Sequence, residues 1–170
     1  MQFTEVITLI NQMQDDRVIE TYAVGGATAA AFYIEAVATI DIDIFVAFVP
    51  QPSAILIDPR AVFAYLCQRG AEPEGEYLKL NGWLVQLLAP TGPLCEEALR
   101  DAVIQTVEGT PVRLFRAEHL AALALETGRA KDKVRLRQFL DEGVLDVAAF
   151  EAIMERHKLN SKWHQFQRQM

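Results

Sequence analysis

The chain has 170 residues, 51% hydrophobic and 23% charged, which excludes a disordered segment and is enough for one core with a helical appendage. A net charge of -7 argues against general nucleic-acid binding, and the apolar runs are broken by Glu35, Asp41 and Asp43 before any reaches membrane-spanning length. Two cysteines, Cys67 and Cys95, are too few for a disulfide framework or a zinc cluster. With no basic-then-apolar leader at the N-terminus, they are expected to be reduced, buried thiols in a cytoplasm.

Phe3, Val6, Ile7, Leu9, Ile10 and Met13 recur at helical spacing, so the chain opens with a helix that should end near Asp16. Thr21 to Val24 is a short strand candidate that runs into Gly25-Gly26, and the alanine-rich stretch Ala27 to Ala36 is expected as a helix. Ile40 to Val49, rich in β-branched and aromatic residues, reads as a strand that Pro50-Gln-Pro52 must end. Asp58-Pro59 is a helix start signal. Its helix should carry Val62, Phe63, Leu66 and Cys67 inward and stop at Gly70. Tyr77–Leu80, Asn81-Gly82 and Trp83–Leu88 form a two-residue hairpin signal. Pro93 to Val103 is expected as a helix and Pro111 to Phe115 as a last strand. Helices are expected at about 117–127, 130–141 and 146–157, separated by Gly128 and Gly143. The fold class is therefore α+β, an α/β core over residues 1–116 followed by a C-terminal helical region over 117–170.

Asp41 and Asp43 sit one residue apart in the strand, so both side chains share a face roughly 6.5–7 Å apart. Two carboxylates on one buried face need a cation, hydrogen bonds or open water, and a divalent metal is the first candidate. A strand beginning at a wet sheet edge is the alternative. The acidic excess lies with this pair. Residues 1–85 hold eleven acidic and four basic side chains, whereas residues 86–170 hold twelve of each. Arg129, Lys133 and Arg137 line one helical face and Lys131 and Arg135 another, which suits either an anion clamp or a solvated face pairing with Glu126, Asp132 and Asp141. Glu72, Glu74 and Glu76 alternate before the hairpin on one face; one of them could reach a metal as a further carboxylate, but they read rather as a solvated acidic edge. His119, His157 and His164 show no metal-ligand spacing and read as structural. Trp163 and Phe166 suggest docking of the tail on the bundle or on a partner chain.

The order strand, Gly-Gly, helix, Asp-x-Asp strand, helix, hairpin, strand resembles the nucleotidyltransferase fold of the polymerase-β type. More narrowly it is similar to the AbiEii/AbiGii-like nucleotidyltransferases of bacterial abortive-infection and toxin–antitoxin systems. The matching residues are Tyr22-Ala-Val-Gly-Gly26, Ala29, Thr39-Ile-Asp-Ile-Asp-Ile44, Leu87-Leu-Ala-Pro90 and Arg129-Ala-Lys-Asp132, within roughly residues 18–157.

The resemblance implies a mixed β-sheet with packed helices, and NMP transfer from an NTP to a hydroxyl on a protein or RNA. Asp41 and Asp43 would be the catalytic carboxylates and the Mg²⁺ ligands. Gly25, Gly26 and Thr28 would cradle phosphate, and Arg129 and Lys131 would add positive charge. A small helix-turn-helix antitoxin is the partner such a setting implies.

The chain departs from the family at four charged positions. The third carboxylate is Gln86, which carries no charge and is not a general base at neutral pH, so Mg²⁺ should be held weakly. The other three are Val37, Ala124 and Arg135. A second function follows from them, a catalytically impaired protein that binds a nucleotide or a partner without turnover.

Overall fold

The computed structural model describes residues 2–35, 39–49 and 60–169. The Pro50–Pro52 break, the Asp58-Pro59 helix start and Val37 lie outside them.

Helix α1 (Phe3–Asp15) buries Val6, Ile7, Ile10 and Met13, the stripe its periodicity predicts. Strand β1 (Ile19–Val24) leads to a glycine turn and to α2 (Gly26–Ala30). That helix is shorter than the expected Ala27–Ala36 element. Its bonding tightens to three-residue spacing at Phe32 and Tyr33, where the Tyr33 hydroxyl donates to the Phe115 carbonyl at 3.0 Å and Phe32 packs on Phe3. These anchors turn the chain out of its helical path.

Strand β2 (Asp41–Phe48) starts one residue later than expected, with Ile40 exposed outside it. Helix α3 (Arg60–Cys67) buries Val62 and Leu66, but Cys67 is exposed, against the expectation of an inward thiol. Strands β3 (Glu72–Glu74), β4 (Tyr77–Leu80) and β5 (Trp83–Leu88) form a meander. The Asn81-Gly82 turn has φ of 48° and 79°, both left-handed, as the hairpin reading requires. Glu72 and Glu74 are exposed on β3, while Glu76 lies in the turn before β4 and does not continue their face.

The expected helix Pro93–Val103 is α4 (Gly92–Arg100), ending three residues early, and an unexpected strand, β6 (Val103–Val107), pairs with β7 (Thr110–Leu114) through Glu108-Gly109. Val103-Ile-Gln-Thr-Val107 is uncharged and β-branched at all but Gln105, a composition that suits a strand. Four C-terminal helices follow: α5 (Ala117–Thr127), α6 (Ala130–Asp141), α7 (Val147–Arg156) and α8 (Asn160–Gln167). The tail docks on the bundle, with Trp163 edge-on to Phe150 at 5.5 Å and stacked with Phe166 at 5.8 Å.

The seven strands form one mixed sheet in the order β3-β4-β5-β2-β1-β7-β6. Central β2 runs antiparallel to β1 and parallel to β5. Ile42, Ile44 and Val46 are fully buried, and strand alternation sends Asp41, Asp43 and Phe45 to the other face. No helix among the described residues is long and apolar enough to cross a membrane.

A buried polar cluster ties α4 to α5 and α7. Glu97 accepts from Arg156 at 2.7 Å, and its two carboxylate oxygens lie 3.2 Å from His119 Nε2 and 2.8 Å from His157 Nε2. Two histidines that the sequence leaves apart thus share one carboxylate. Glu97, Asp101 and His119 come close enough to suggest a metal, but guanidinium groups already occupy the carboxylates, Arg156 on Glu97 and Arg100 on Asp101. The cluster is an ion-pair network.

Candidate functional site

The face of β2 that carries the aspartates floors an open cleft of about 430 Å³ between the sheet and helices α4, α5 and α6. Asp41, Asp43 and Gln86 all line it. The parallel pairing of β2 with β5 sets Asp43 directly beside Gln86, so the glutamine occupies the neighbouring-strand place where a third carboxylate is expected.

Of the twin glycines, Gly26 lines the cleft beside Asp43, and Gly25 lies outside the lining. Gly25 N–H donates to the Asp43 backbone carbonyl at 2.9 Å, which fixes the turn to the strand. Gly26 has φ +58°, and a Cβ added there would stand 1.9 Å from Asp43 Oδ2. A Cβ on Gly25 would strike the Phe45 ring at 2.5 Å. Neither position has room for a side chain, because Gly26 is packed against the Asp43 carboxylate and Gly25 against the Phe45 and Phe115 rings. Thr28, like Gly25, stands behind the cleft rather than in its lining. Its buried hydroxyl donates to the Asp41 carbonyl at 2.7 Å, so it braces the start of β2 and does not line the cleft.

Asp41 accepts a hydrogen bond from the Thr39 hydroxyl. Asp43 is half-buried, and no hydrogen bond or ion pair to its carboxylate is found among the described residues. Burial, then the charge of Asp41, push its carboxyl above the ordinary value, while Lys131, Arg135 and Arg129 pull it back. These cations come from α6 and its N-cap, across the cleft. Arg129 is paired with Asp132 at 2.6 Å but remains 61% exposed, so its remaining donors face solvent. Lys133 bonds Gln169 and Arg137 pairs with Asp141, which leaves Arg129, Lys131 and Arg135 as the basic groups at the cleft. Arg135 lies on the cleft through its i,i+4 relation to Lys131. Ala124 is buried in the same wall.

The donor set suits one hard cation. Two half-buried carboxylates, Asp43 without a partner among the described residues and Asp41 accepting only from Thr39, open to a cleft lined by cations and match Mg²⁺ held by one or two carboxylates and completed by substrate phosphates. A second metal at Gln86 would lack an anionic ligand.

At the sheet-edge end the cleft is lined by Glu76, one of the three glutamates the sequence offers as a further carboxylate, and by Tyr77, which the sequence does not single out for the site. The Tyr77 phenol is pushed above its ordinary value by desolvation and then by the carboxylates of Glu76, Asp41 and Asp43, whose field reaches it.

No protein-family model matches this sequence, and no curated protein matches it. Solved structures do match its fold. The chain aligns with the crystal structure of ANT(2″)-Ia in complex with adenylyl-2″-tobramycin at a TM-score of 0.55 and 16% identity, covering 94% of this chain and 98% of that one. It aligns with the solution structure of the antibiotic-resistance factor ANT(2″)-Ia at a TM-score of 0.51 and 16% identity, over 99% and 98% of the two chains. A nucleotidyltransferase-like protein of Paracoccidioides brasiliensis aligns at 0.49 and 14% identity, over 94% and 90%. At these identities the ANT(2″)-Ia alignments establish a fold of the nucleotidyltransferase type.

Proposed function

We propose that the cleft binds a nucleoside triphosphate with Mg²⁺ on Asp41 and Asp43, and that the protein transfers the NMP to a hydroxyl on a protein or RNA. The observation that carries this reading is the seating of Gly26 against Asp43, with Arg129, Lys131 and Arg135 opposite. A glycine turn without Cβ atoms leaves phosphate oxygens free to approach the carboxylates, and the α6 cations offset the triphosphate charge. When bound, Mg²⁺ would neutralise phosphate charge and orient the α-phosphate. The chain's own residues do the rest: Thr28 and Gly25 hold β2 in place, and the walls from α4 and α5 limit water.

The AbiEii/AbiGii likeness of Thr39–Ile44 and Arg129–Asp132 adds the biological setting to this proposal. It is a cytoplasmic bacterial protein of a toxin–antitoxin or abortive-infection system, with a small helix-turn-helix antitoxin as partner.

Gln86 favours a second reading, a nucleotide- or partner-binding protein without turnover. It stands beside Asp43 where a base would act, and glutamine cannot accept a proton at neutral pH. Substituting Gln86→Asp separates the two. A positioned general base contributes about 10²–10⁴-fold, so the substitution is expected to raise transfer of α-labelled nucleotide by up to that factor. Labelling by the wild-type protein supports the transferase reading, and wild-type labelling that the substitution abolishes removes the impaired one. Labelling found only with Gln86→Asp selects the impaired reading.

A further inference from the structure

We propose that Tyr77 is itself an acceptor, so that the protein attaches a nucleotide to its own Tyr77 hydroxyl. The proposal rests on the nucleotide-binding reading of the cleft and names the acceptor within it.

The placement comes from strand register. Pairing of β2 with β5 sets Asp43 beside Gln86, and the antiparallel register that joins Leu78 to Val85 brings Tyr77 next to Gln86. Asp43, Gln86 and Tyr77 thus form a row across three adjacent strands, about 4.8 Å apart per strand, on one face. All three line the cleft. A tyrosine ring standing on β4 is long enough to lean over the glutamine toward the aspartates.

Among the described residues the hydroxyl is also free. The chain has four tyrosines. Tyr22 donates to Asn11 at 2.7 Å, Tyr33 to the Phe115 carbonyl at 3.0 Å and Tyr65 to Asp16 at 2.7 Å. Tyr77 alone has no hydrogen-bond partner for its hydroxyl among the described residues. It is half-exposed and opens onto the cleft.

The chemistry suits the missing base. A phenol has an ordinary pKa of about 10 against about 15.7 for water, so it asks far less of a general base than an alkyl hydroxyl does. Gln86 cannot serve an alkyl acceptor, but a phenol held in place can do without it. Compensation of Asp41 and Asp43 by a cation removes their part of the upward push on this phenol. An acceptor fixed on a strand also avoids the cost of bringing in a second substrate, worth effective molarities of about 10⁵–10⁸ M when alignment is good. In the step, Tyr77 Oη forms a bond to the α-phosphorus as the bond from that phosphorus to the α,β-bridging oxygen breaks. Pyrophosphate leaves with the electron pair, and the phenolic proton passes to water at the cleft mouth.

The test incubates the full chain with Mg²⁺ and, separately, ATP, GTP, CTP or UTP. Intact mass and peptide mapping are read beside the nucleotide-dependent melting shift. The expected result is a gain of one nucleoside monophosphate on the peptide containing Tyr77, absent from Tyr77→Phe. A melting shift without mass gain in the wild type overturns the acceptor proposal while the nucleotide site stands. A gain that persists in Tyr77→Phe, or maps to another residue, overturns it too. No melting shift with any of the four nucleotides removes the nucleotide-binding reading, and this proposal with it.

Discussion

Replacing Glu97 with alanine is expected to lower the unfolding free energy by about 3 kcal/mol, the lower end of the range for breaking a buried ion pair. The carboxylate is 7% exposed and serves Arg156, His119 and His157 at once. Arg156 is half-exposed and can rehydrate, which is why the low end applies, but His119 is 2% exposed and would lose its Nε2 partner in the interior. Urea unfolding checks this as a lower midpoint at unchanged slope. The same network fixes a pH dependence. The guanidinium of Arg156 holds the Glu97 carboxyl down at about 2 against its burial, with His157 and His119 assisting, from an ordinary value of 4.5. A carboxyl lowered on folding stabilises above its unfolded value, and that contribution is lost as pH falls from about 4.5 toward 2. Burial pushes His119 below its ordinary 6.5, so protonation below that value also opposes folding. Stability should therefore decline on acidification in both windows. Glu97→Ala should flatten the lower one.

Gly26→Ala is expected to weaken nucleotide binding by about 100-fold or more, comparable to Asp43→Asn. The new Cβ would fall 1.9 Å from Asp43 Oδ2, so the carboxylate must swing away from its present position. Misplacing a ligating group by about 1 Å can cost on the order of 10²-fold. The left-handed φ of +58° adds strain of about 1–2 kcal/mol for a residue with a side chain. The effect on binding should exceed the effect on melting temperature, and titration of a non-hydrolysable NTP beside a thermal melt separates the two. Gly128→Ala serves as the comparison. It has a left-handed φ of +68° but no crowding, with its nearest contact at 3.8 Å, so it should lose stability without loss of binding.

The sequence made legible those features that local chemistry or a single strand pairing decides. Asn81-Gly82 specifies its own hairpin. Asp41 and Asp43 share a face by alternation, and Gln86 follows from the strand parallel to theirs. Helical spacing pairs Lys131 with Arg135, though only the cleft geometry makes Arg135 a cation facing Asp43. Other features depend on distant partners. Glu97 meets residues 22, 59 and 60 positions away, and no spacing rule joins them. Strand β6 falls between the expected helix, which ends at Val103, and the expected strand from Pro111, because a run of five residues with Gln105 and Thr106 inside it carries little periodicity. Its own turn, Glu108-Gly109 with φ of 48° and 83°, held the signal that could have found it. Thr28 carries the residue type that phosphate sites use, yet its hydroxyl turns to the Asp41 carbonyl, a choice made by the packing of α2 on β2. Tyr77 reads only as a strand residue until the register places it beside Gln86.

A nucleotide site on Asp41 and Asp43 should be visible in calorimetric titration with non-hydrolysable ATP, GTP, CTP and UTP analogues. Wild type and the Asp41→Asn/Asp43→Asn double variant would be compared with and without Mg²⁺. Saturable binding of at least one analogue to the wild type, dependent on Mg²⁺ and lost in the folded double variant, is the result predicted here. Failure of all four to bind the wild type, or binding that the double variant retains undiminished, would contradict it.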